Sequence, residues 1–212
     1  MRHVDWFFDF TSHYSYLQIE RLSRISDQFE FRCRPLSLPL LLDFWNNEGP
    51  SAIGPKLEFT YRQSMWIAGR MGVDLRFPPV HPFAAERYLL LAASMDSPMD
   101  VVLTIFRAIY RSGADPTSTA FFDTVVDRLR SQPGFSDRRS DADSQLVLDE
   151  NLRLATSAGV FGTPTLLVDE TIFWGFDATE MFLDAVDVPP AKSALMPVHG
   201  PALASPGLVP RN

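Results

Sequence analysis

The chain has 212 residues, 46% of them hydrophobic, and is therefore long enough to bury a sizeable core. Its formal net charge of −7 argues against binding to a nucleic acid phosphate backbone, and its single cysteine excludes an internal disulfide. Asp5 and Asp9 interrupt the apolar N-terminal run, unlike a signal peptide, and no stretch approaches the ~18 apolar residues that span a bilayer. We therefore expect a soluble, cytoplasmic protein with no nucleic acid or membrane partner.

The first elements predict a parallel strand–helix–strand unit. Val4 to Phe10 is short, apolar and aromatic, as in a buried strand. Thr11 or Ser12 supplies a helix N-cap, and apolar residues then recur at helical spacing. Glu30 to Leu38 alternates between polar and apolar residues and predicts a second strand. A right-handed parallel crossover is the default connection for this order.

A loop at residues 46–51 is followed by helical patterns only, from Lys56 to about Ser157. The predicted helices are Lys56–Met71, Ala84–Ser94, Met99–Arg111, Ser118–Leu129 and Asp141–Ser157, the last with Asp141 as its cap. Met65 and Trp66 are expected in the core or in a pocket wall.

A lone proline precedes an apolar β-type run near the end of the chain. Gly159 ends the preceding helix, and a polar turn at 169–171 separates two short strands, as in a β-hairpin. Because proline donates nothing to a sheet ladder, Pro164 is expected at the first residue of its strand. Thr163–Pro164 is also a candidate cis peptide. The segment fits an ordinary edge hairpin, and it also resembles the cis-proline corner of thioredoxin-type folds.

The whole order of elements, β-α-β, helices, β-β-α, matches an α/β thioredoxin-like sheet with an inserted all-helical subdomain. We expect residues 1–45 and 158–188 to form the thioredoxin-like domain and residues 46–157 to form the insertion. Residues 189–212 are rich in Pro and Ala without periodicity, which predicts an irregular tail.

The junction after the first strand carries Ser12 and no thiol, although redox thioredoxins place Cys-x-x-Cys there. Disulfide exchange requires an attacking thiolate at the site, so an oxidoreductase of that kind is not expected. Cys33 falls in the second predicted strand and is most simply a small buried hydrophobe. A helix N-terminus attracts anions, and the thiolate of a bound ligand would be stabilised beside Ser12. From the spacing alone, the simpler interpretation is that Ser12 only caps its helix.

Several segments resemble one family in the same order along the chain. Residues 8–17 resemble the opening F-D-F-x-S-P-Y-S-Y-L of the 2-hydroxychromene-2-carboxylate isomerases, relatives of kappa-class glutathione transferases in the DsbA-like superfamily. The other segments are 77–83 (F-P…H-P-F), 106–115 (F-R-A-Y-W…G-x-D), 160–165 (V-F-G-x-P-T) and 173–177 (F-W-G-N-D). The resemblance extends from about residue 4 to residue 185.

The resemblance implies glutathione as cofactor and a small aromatic molecule as substrate. It implies that Ser12 is catalytic and hydrogen-bonds the glutathione thiolate, and that the backbone of Thr163 beside Pro164 pairs with the cysteinyl part. The γ-glutamyl end would be lined by Trp174, Gly175, Phe176 and Asp177. Family members isomerise a cyclic chromene hemiketal to an open-chain benzylidene pyruvate. A kappa-type glutathione transferase and a non-catalytic binding protein of the same fold are the alternatives. Homodimers are common in the family.

The chain departs from the family pattern at several positions, among them residues 50–52, which lack the Asn often found in that loop. His13 replaces the usual Pro, and it is expected either to tune or accept a proton near the thiol or, more simply, to be a surface histidine. Phe176 replaces the Asn of W-G-N-D, and Ala84 stands where Asn often follows H-P-F. These changes predict a more apolar substrate pocket.

Three further residues are candidates for the substrate pocket. His81 and Phe83 belong to the turn that borders the pocket in the family, although a structural role is the simpler expectation for His81. Arg87 is expected either to face an anionic substrate group or to be a solvated helix arginine. The four histidines have no metal-ligand spacing, so no metal site is expected.

Overall fold

The computed structural model of the chain describes residues 2–132 and 139–187. The strands are β1 (Arg2–Phe8), β2 (Phe29–Pro35), β3 (Thr165–Val168) and β4 (Thr171–Trp174). The helices are α1 (His13–Leu22), α2 (Leu38–Phe44), α3 (Gly54–Met71), α4 (Glu86–Ser94), α5 (Met99–Ser112), α6 (Thr119–Arg130), α7 (Asp141–Ser157) and α8 (Ala178–Asp187), with a short 3-10 helix at Pro50–Ala52. This order confirms the α/β architecture expected from the sequence. No helix of the described residues is long and apolar enough to cross a membrane.

The four strands form one mixed sheet in the order β2-β1-β3-β4. β1 and β2 run parallel, with Phe8 opposite Pro35, so their carboxyl ends meet at one edge. β3 runs antiparallel to β1, with Thr165 opposite Phe7. Pro164, one residue earlier, therefore lies at the same edge as the β1–α1 junction. The sheet topology brings together two segments that are about 150 residues apart in the sequence.

The last three residues of β1, Trp6–Phe8, are buried on both faces of the sheet, which explains why they are all apolar. On one face Trp6 and Phe8 stack with ring centroids 4.5 Å apart. Phe106 of α5 packs against Phe8 at 5.7 Å, within the main core. On the other face Phe7 belongs to a smaller core cluster with Leu36, Leu41, Ala155 and Val160.

A buried carboxylate joins α1 to α5. Glu20 is 3% exposed and accepts two hydrogen bonds of 2.8 Å from Arg107. Arg111 donates a third, at 2.6 Å, to the same carboxylate. Burial opposes ionisation of Glu20, but these bonds outweigh it and lower its pKa. The pair of arginines thus holds α1, which begins at the candidate site, against the main helical layer.

Several predicted boundaries need correction. α2 was not predicted, because its first residue was included in the second strand, which in fact ends at Pro35. Ser37 caps α2 by accepting the Leu40 N–H, and Ser140, not Asp141, caps α7. The first strand ends at Phe8, two residues before the predicted end.

Two side chains of α3 also lie elsewhere than predicted. Met65 is 57% exposed and Trp66 is 66% exposed, so the expectation of a core or pocket-wall position is wrong for both. The predicted irregular tail at 189–212 lies outside the described residues.

Candidate functional site

Ser12 is the N-cap of α1 at the carboxyl edge of the sheet. It is 8% exposed, and its Oγ accepts the Ser15 N–H at 3.2 Å. Its own N–H donates to the Asp9 carbonyl at 3.0 Å. A serine hydroxyl has one donor proton and two acceptor lone pairs, so capping the helix leaves the proton free to donate. The capping role and the anion-binding role are therefore compatible in one side chain.

Asp9 supports this junction from inside the protein. The carboxylate is 1% exposed and accepts the Thr11 N–H at 2.8 Å and the Leu38 N–H at 2.7 Å. Burial raises its pKa to about 6 although both hydrogen bonds favour the ionised form. Asp9 thus ties the β1–α1 junction to the start of α2. The signal in the sequence was a charged residue inside a buried apolar run.

The turn that contains His81 and Phe83 clamps Thr11, the residue before Ser12. The Nε2 of His81 donates to the Thr11 carbonyl at 2.8 Å, and the Phe83 N–H donates to the Thr11 hydroxyl at 3.2 Å. Because a carbonyl only accepts, Nε2 carries the ring proton. Nδ1 then accepts from the Tyr61 hydroxyl at 2.9 Å. His81 has the structural role that was the simpler expectation, and Phe83 shares it through its backbone.

The Thr163–Pro164 peptide bond is cis, as predicted, and so is His81–Pro82. Pro164 immediately precedes β3 and is not its first residue, which corrects the predicted position by one residue. Its carbonyl accepts the Gly175 N–H at 2.9 Å.

Gln18 connects α1 to this corner and was missed from the sequence. The side chain is fully buried, and its Nε2 donates to the Gly175 carbonyl at 3.0 Å and to the Thr179 hydroxyl at 2.9 Å. Its Oε1 accepts the Trp6 indole N–H at 2.7 Å. A polar residue on the apolar face of α1 was the available signal, because such a group must find partners. Gln18 thereby fixes the loop after β4 relative to the helix that begins beside Ser12.

Trp174 and Asp177 flank Gly175 in the sequence. Trp174 is 52% exposed, and its indole lies so close to Gly162 that a Cβ there would be 2.6 Å from Nε1. A Cβ on Gly175, whose φ is +95°, would lie 2.6 Å from the Asp177 Oδ1. Within the described part of the chain Asp177 forms no ion pair, so its exposed carboxylate is available to a cationic ligand group.

Phe176 and Arg87 take no polar part in the site. The Phe176 ring packs against the main core. Arg87 donates to the carbonyls of Ser118, at 2.9 Å, and Pro116, and its guanidinium lies 4.8 Å from the Phe122 ring centroid. Arg87 was expected either to face an anionic substrate group or to be a solvated helix arginine. Both expectations are corrected, because its guanidinium is held by backbone carbonyls and an aromatic ring.

His13 is buried, so the expectation of a surface histidine is wrong. It is 7% exposed and lies among four rings, those of Tyr14 (4.5 Å between centroids), Phe77 (5.2 Å), His81 (5.4 Å) and Tyr61 (5.7 Å). Burial, and to a lesser extent His81, lowers the pKa of His13 to about 3. The imidazole is therefore neutral at neutral pH. Three of the four covering rings, those of Tyr61, Phe77 and His81, come from distant segments, which is why the sequence did not reveal the burial.

Unpartnered polar atoms are concentrated at this site. Within residues 2–132 and 139–187, the buried side-chain nitrogen and oxygen atoms without a hydrogen-bond partner are both ring nitrogens of His13, the Ser15 Oγ and the Thr163 Oγ1. All belong to the first turn of α1 or to the cis-proline corner. Such atoms are rare in native structures because each costs free energy. Their concentration makes this corner a candidate ligand site.

The family model that matches the chain is the DSBA-like thioredoxin domain, over residues 3–187. The chain belongs to the DSBA-like thioredoxin domain family. In this DSBA-like chain, however, the α1 N-terminus carries Ser12, and the half-buried Cys33 lies on β2. Burial, with a smaller contribution from Asp100, raises the Cys33 pKa to about 12. Neither position provides the thiolate that disulfide exchange requires.

Two curated relatives are 2-hydroxychromene-2-carboxylate isomerases. The protein from Pseudomonas sp. (strain C18) is 27% identical over 195 residues, covering 89% of this chain and 92% of its own length. The protein from Sphingobium xenophagum is 28% identical over 200 residues, covering 86% and 96%. A solved structure of a 2-hydroxychromene-2-carboxylate isomerase superposes with a TM-score of 0.74 at 24% identity, covering 87% of this chain and 94% of that chain. That likeness shows a shared fold.

Proposed function

We propose that this DSBA-like protein is a glutathione-dependent isomerase of the 2-hydroxychromene-2-carboxylate isomerase type, acting on an aromatic conjugated carbonyl compound. The observation that carries the proposal is the Ser12 hydroxyl, which keeps a free proton at a helix N-terminus beside a cis-proline corner that contains no protein thiol. The names of the two curated relatives support the reaction class.

The residues of the site fit glutathione in chemical type. Ser12 and the first N–H groups of α1, which have no intrahelical acceptors, suit a thiolate. The Thr163 backbone beside cis Pro164 would pair with the cysteinyl part, and the Asp177 carboxylate would accept the γ-glutamyl ammonium group. Trp174 and Gly175 would line that end. When bound, glutathione supplies a thiolate that adds reversibly to a conjugated carbon, so that a double bond becomes a rotatable single bond.

The chain's own contribution is to hold and stabilise that thiolate. Thr11 is clamped by His81, Phe83 and Asp9, so the Ser12 hydroxyl is held in place before any ligand arrives. A preorganised donor stabilises charge without reorganising during the reaction. Substrate specificity would follow from the apolar surroundings, in which Phe176 adds no polar contact.

The test is a comparison of Ser12→Ala with Ser140→Ala. Both serines cap a helix by accepting an N–H three residues later, so both variants lose a similar cap, about 1 kcal/mol of stability. Ser140 also donates to the exposed Asp143 carboxylate at 2.8 Å, but only Ser12→Ala loses a hydrogen bond to the glutathione thiolate, about 1.5–3 kcal/mol. Glutathione affinity and turnover of 2-hydroxychromene-2-carboxylate should therefore fall roughly 10- to 150-fold in Ser12→Ala alone.

The fate of glutathione separates the possible activities. An isomerase leaves glutathione unconsumed over many turnovers, which chromatographic quantification would show. Stoichiometric consumption would indicate a transferase, and binding without turnover would indicate a non-catalytic protein. Unaltered activity and glutathione affinity in Ser12→Ala would contradict the role given to Ser12.

A further inference from the structure

His13 has hydrogen-bonding capacity that the protein does not use. A neutral imidazole has one N–H donor and one acceptor nitrogen, and both ring nitrogens of His13 are buried without partners. An unsatisfied buried donor or acceptor costs about 1–3 kcal/mol. A phenylalanine would fill the same space without that cost, so the polar atoms of His13 need an explanation.

The groups around His13 are already engaged with other partners. Both ring nitrogens of His81 are used, by the Thr11 carbonyl and the Tyr61 hydroxyl. The Tyr14 hydroxyl donates to the Gln63 Oε1 at 2.6 Å. None of these groups is left to partner His13, so a bound molecule would supply the missing hydrogen bonds.

Tyr14 is the part of the enclosure that can open most easily. It is half-buried, its ring lies nearest to His13, and its hydroxyl is held by the exposed Gln63 and by a long contact of 3.4 Å to the Thr60 carbonyl. Rotation of one side chain would break these contacts without disturbing the fold. Burial and, second, the Asp177 carboxylate raise the Tyr14 pKa to about 12, so its hydroxyl stays protonated. His13 directly follows Ser12 in the chain. Opening would connect His13 to the glutathione site.

We propose that His13 is a catalytic residue that donates its ring N–H to the carbonyl oxygen of the aromatic substrate, after Tyr14 rotates aside. The substrate's aryl ring would then pack against Phe77 and Tyr61, where aromatic rings already surround His13. A neutral N–H donor suits an oxygen that gains negative charge when a nucleophile attacks the conjugated system. This inference rests on the proposed function for the reaction, but the hydrogen bond itself does not need glutathione.

The first measurement uses the wild-type protein without glutathione. Benzylidene pyruvate, which carries a conjugated ketone, is added while the NMR chemical shifts of the His13 ring nitrogens are followed. A hydrogen bond to the ligand should shift the protonated ring nitrogen, and His81, whose nitrogens keep their protein partners, serves as the internal control. Binding without a shift at His13, or no binding, would overturn the inference.

The second measurement compares three variants. His13→Phe keeps a ring but removes the donor, His13→Gln restores an N–H donor, and His13→Pro places at the first helical position a residue that helices accept there. Benzylidene pyruvate affinity should fall about 2- to 10-fold in His13→Phe and in His13→Pro, with recovery in His13→Gln. Turnover should fall roughly 10- to 150-fold in His13→Phe and in His13→Pro, because the substrate oxygen is charged in the transition state. Glutathione affinity should not change.

The outcomes separate this inference from the proposed function. If the wild type has no isomerase activity but benzylidene pyruvate shifts the His13 nitrogens, the proposed function fails and the hydrogen bond stands. If the wild type is active and His13→Phe matches it in affinity and turnover, the role of His13 fails and the proposed function stands. A melting curve for each variant shows that it is folded.

Discussion

At the scale of single residues, Asp9 and Ser12 show how a buried acid can position a neighbouring hydroxyl. The Asp9 carboxylate accepts hydrogen bonds from two backbone N–H groups, which lower its pKa, while desolvation by burial raises it. Desolvation prevails and raises the pKa to about 6, above the ordinary value of 3.8. The folded protein therefore binds the Asp9 proton more tightly than the unfolded chain does. The contribution of Asp9 to the free energy of unfolding is fully present below about pH 4 and is lost as the pH rises through about 6.

We expect Asp9→Asn to remove this pH dependence. Between about pH 4 and pH 7 the wild type should lose about 2 kcal/mol of unfolding free energy that the variant does not lose. Urea denaturation of both proteins across this range measures the difference. A constant difference would show that Asp9 has the same pKa in the folded and unfolded states.

The sequence predicted the position of Ser12 and the cis bond before Pro164, because both depend on local patterns. It did not predict the burial of His13. The covering rings of Tyr61, Phe77 and His81 belong to α3 and to the turn that follows it, and only the tertiary fold brings them to α1. Contacts of long sequence separation leave no local pattern to detect.

At the scale of elements, the loop between β4 and α8 depends on Gly175. Its φ of +95° is unfavourable for other residues, and a Cβ would contact the Asp177 carboxylate. We expect Gly175→Ala to lose at least about 1–2 kcal/mol of stability and to displace Asp177, which weakens glutathione binding. Gly72→Ala is the matched control, since Gly72 has a φ of +64° and nothing within 4 Å of the added Cβ.

Calorimetric titration with glutathione distinguishes the two glycine variants. Both should be destabilised through the backbone, but only Gly175→Ala should bind glutathione more weakly. Equal affinities in the two variants would place the ligand away from the β4–α8 loop.

Helices with a strong local pattern were predicted well, whereas the short helix α2 was missed. α5 and α7 carry long helical patterns, and each was placed to within a residue. α2 has seven residues and follows β2 after only two, so its leucines continue the apolar pattern of the strand. A short helix directly after a strand gives too few turns for its period to appear.

At the scale of the whole molecule, stability at acid pH reflects two buried groups of opposite effect. His13 has a folded-state pKa of about 3, below its ordinary value of 6.5, because the folded protein resists charging it. Its contribution is present above about pH 6.5 and is lost as the pH falls towards 3. Asp9 contributes in the other direction and partly offsets the loss of stability at His13 on acidification.

We expect His13→Phe to expose this compensation. From about pH 7 to pH 4 the wild type should lose about 3 kcal/mol through His13, a loss that the variant avoids. Thermal or urea unfolding of both proteins at matched pH values tests this. Parallel pH profiles for the two proteins would show that His13 titrates alike in the folded and unfolded chains.

The contact between Trp174 and Gly162 gives the molecule an intrinsic optical reporter. Trp174 is about half exposed and lies against the cis-proline corner, whereas the Trp6 indole is fully buried in the core. A ligand that fills the corner would change the polarity around Trp174 and leave Trp6 unaffected. Trp45 and Trp66 are exposed as well, so the part of the native emission that comes from Trp174 would follow occupancy of the site during a titration, without a label or a coupled assay.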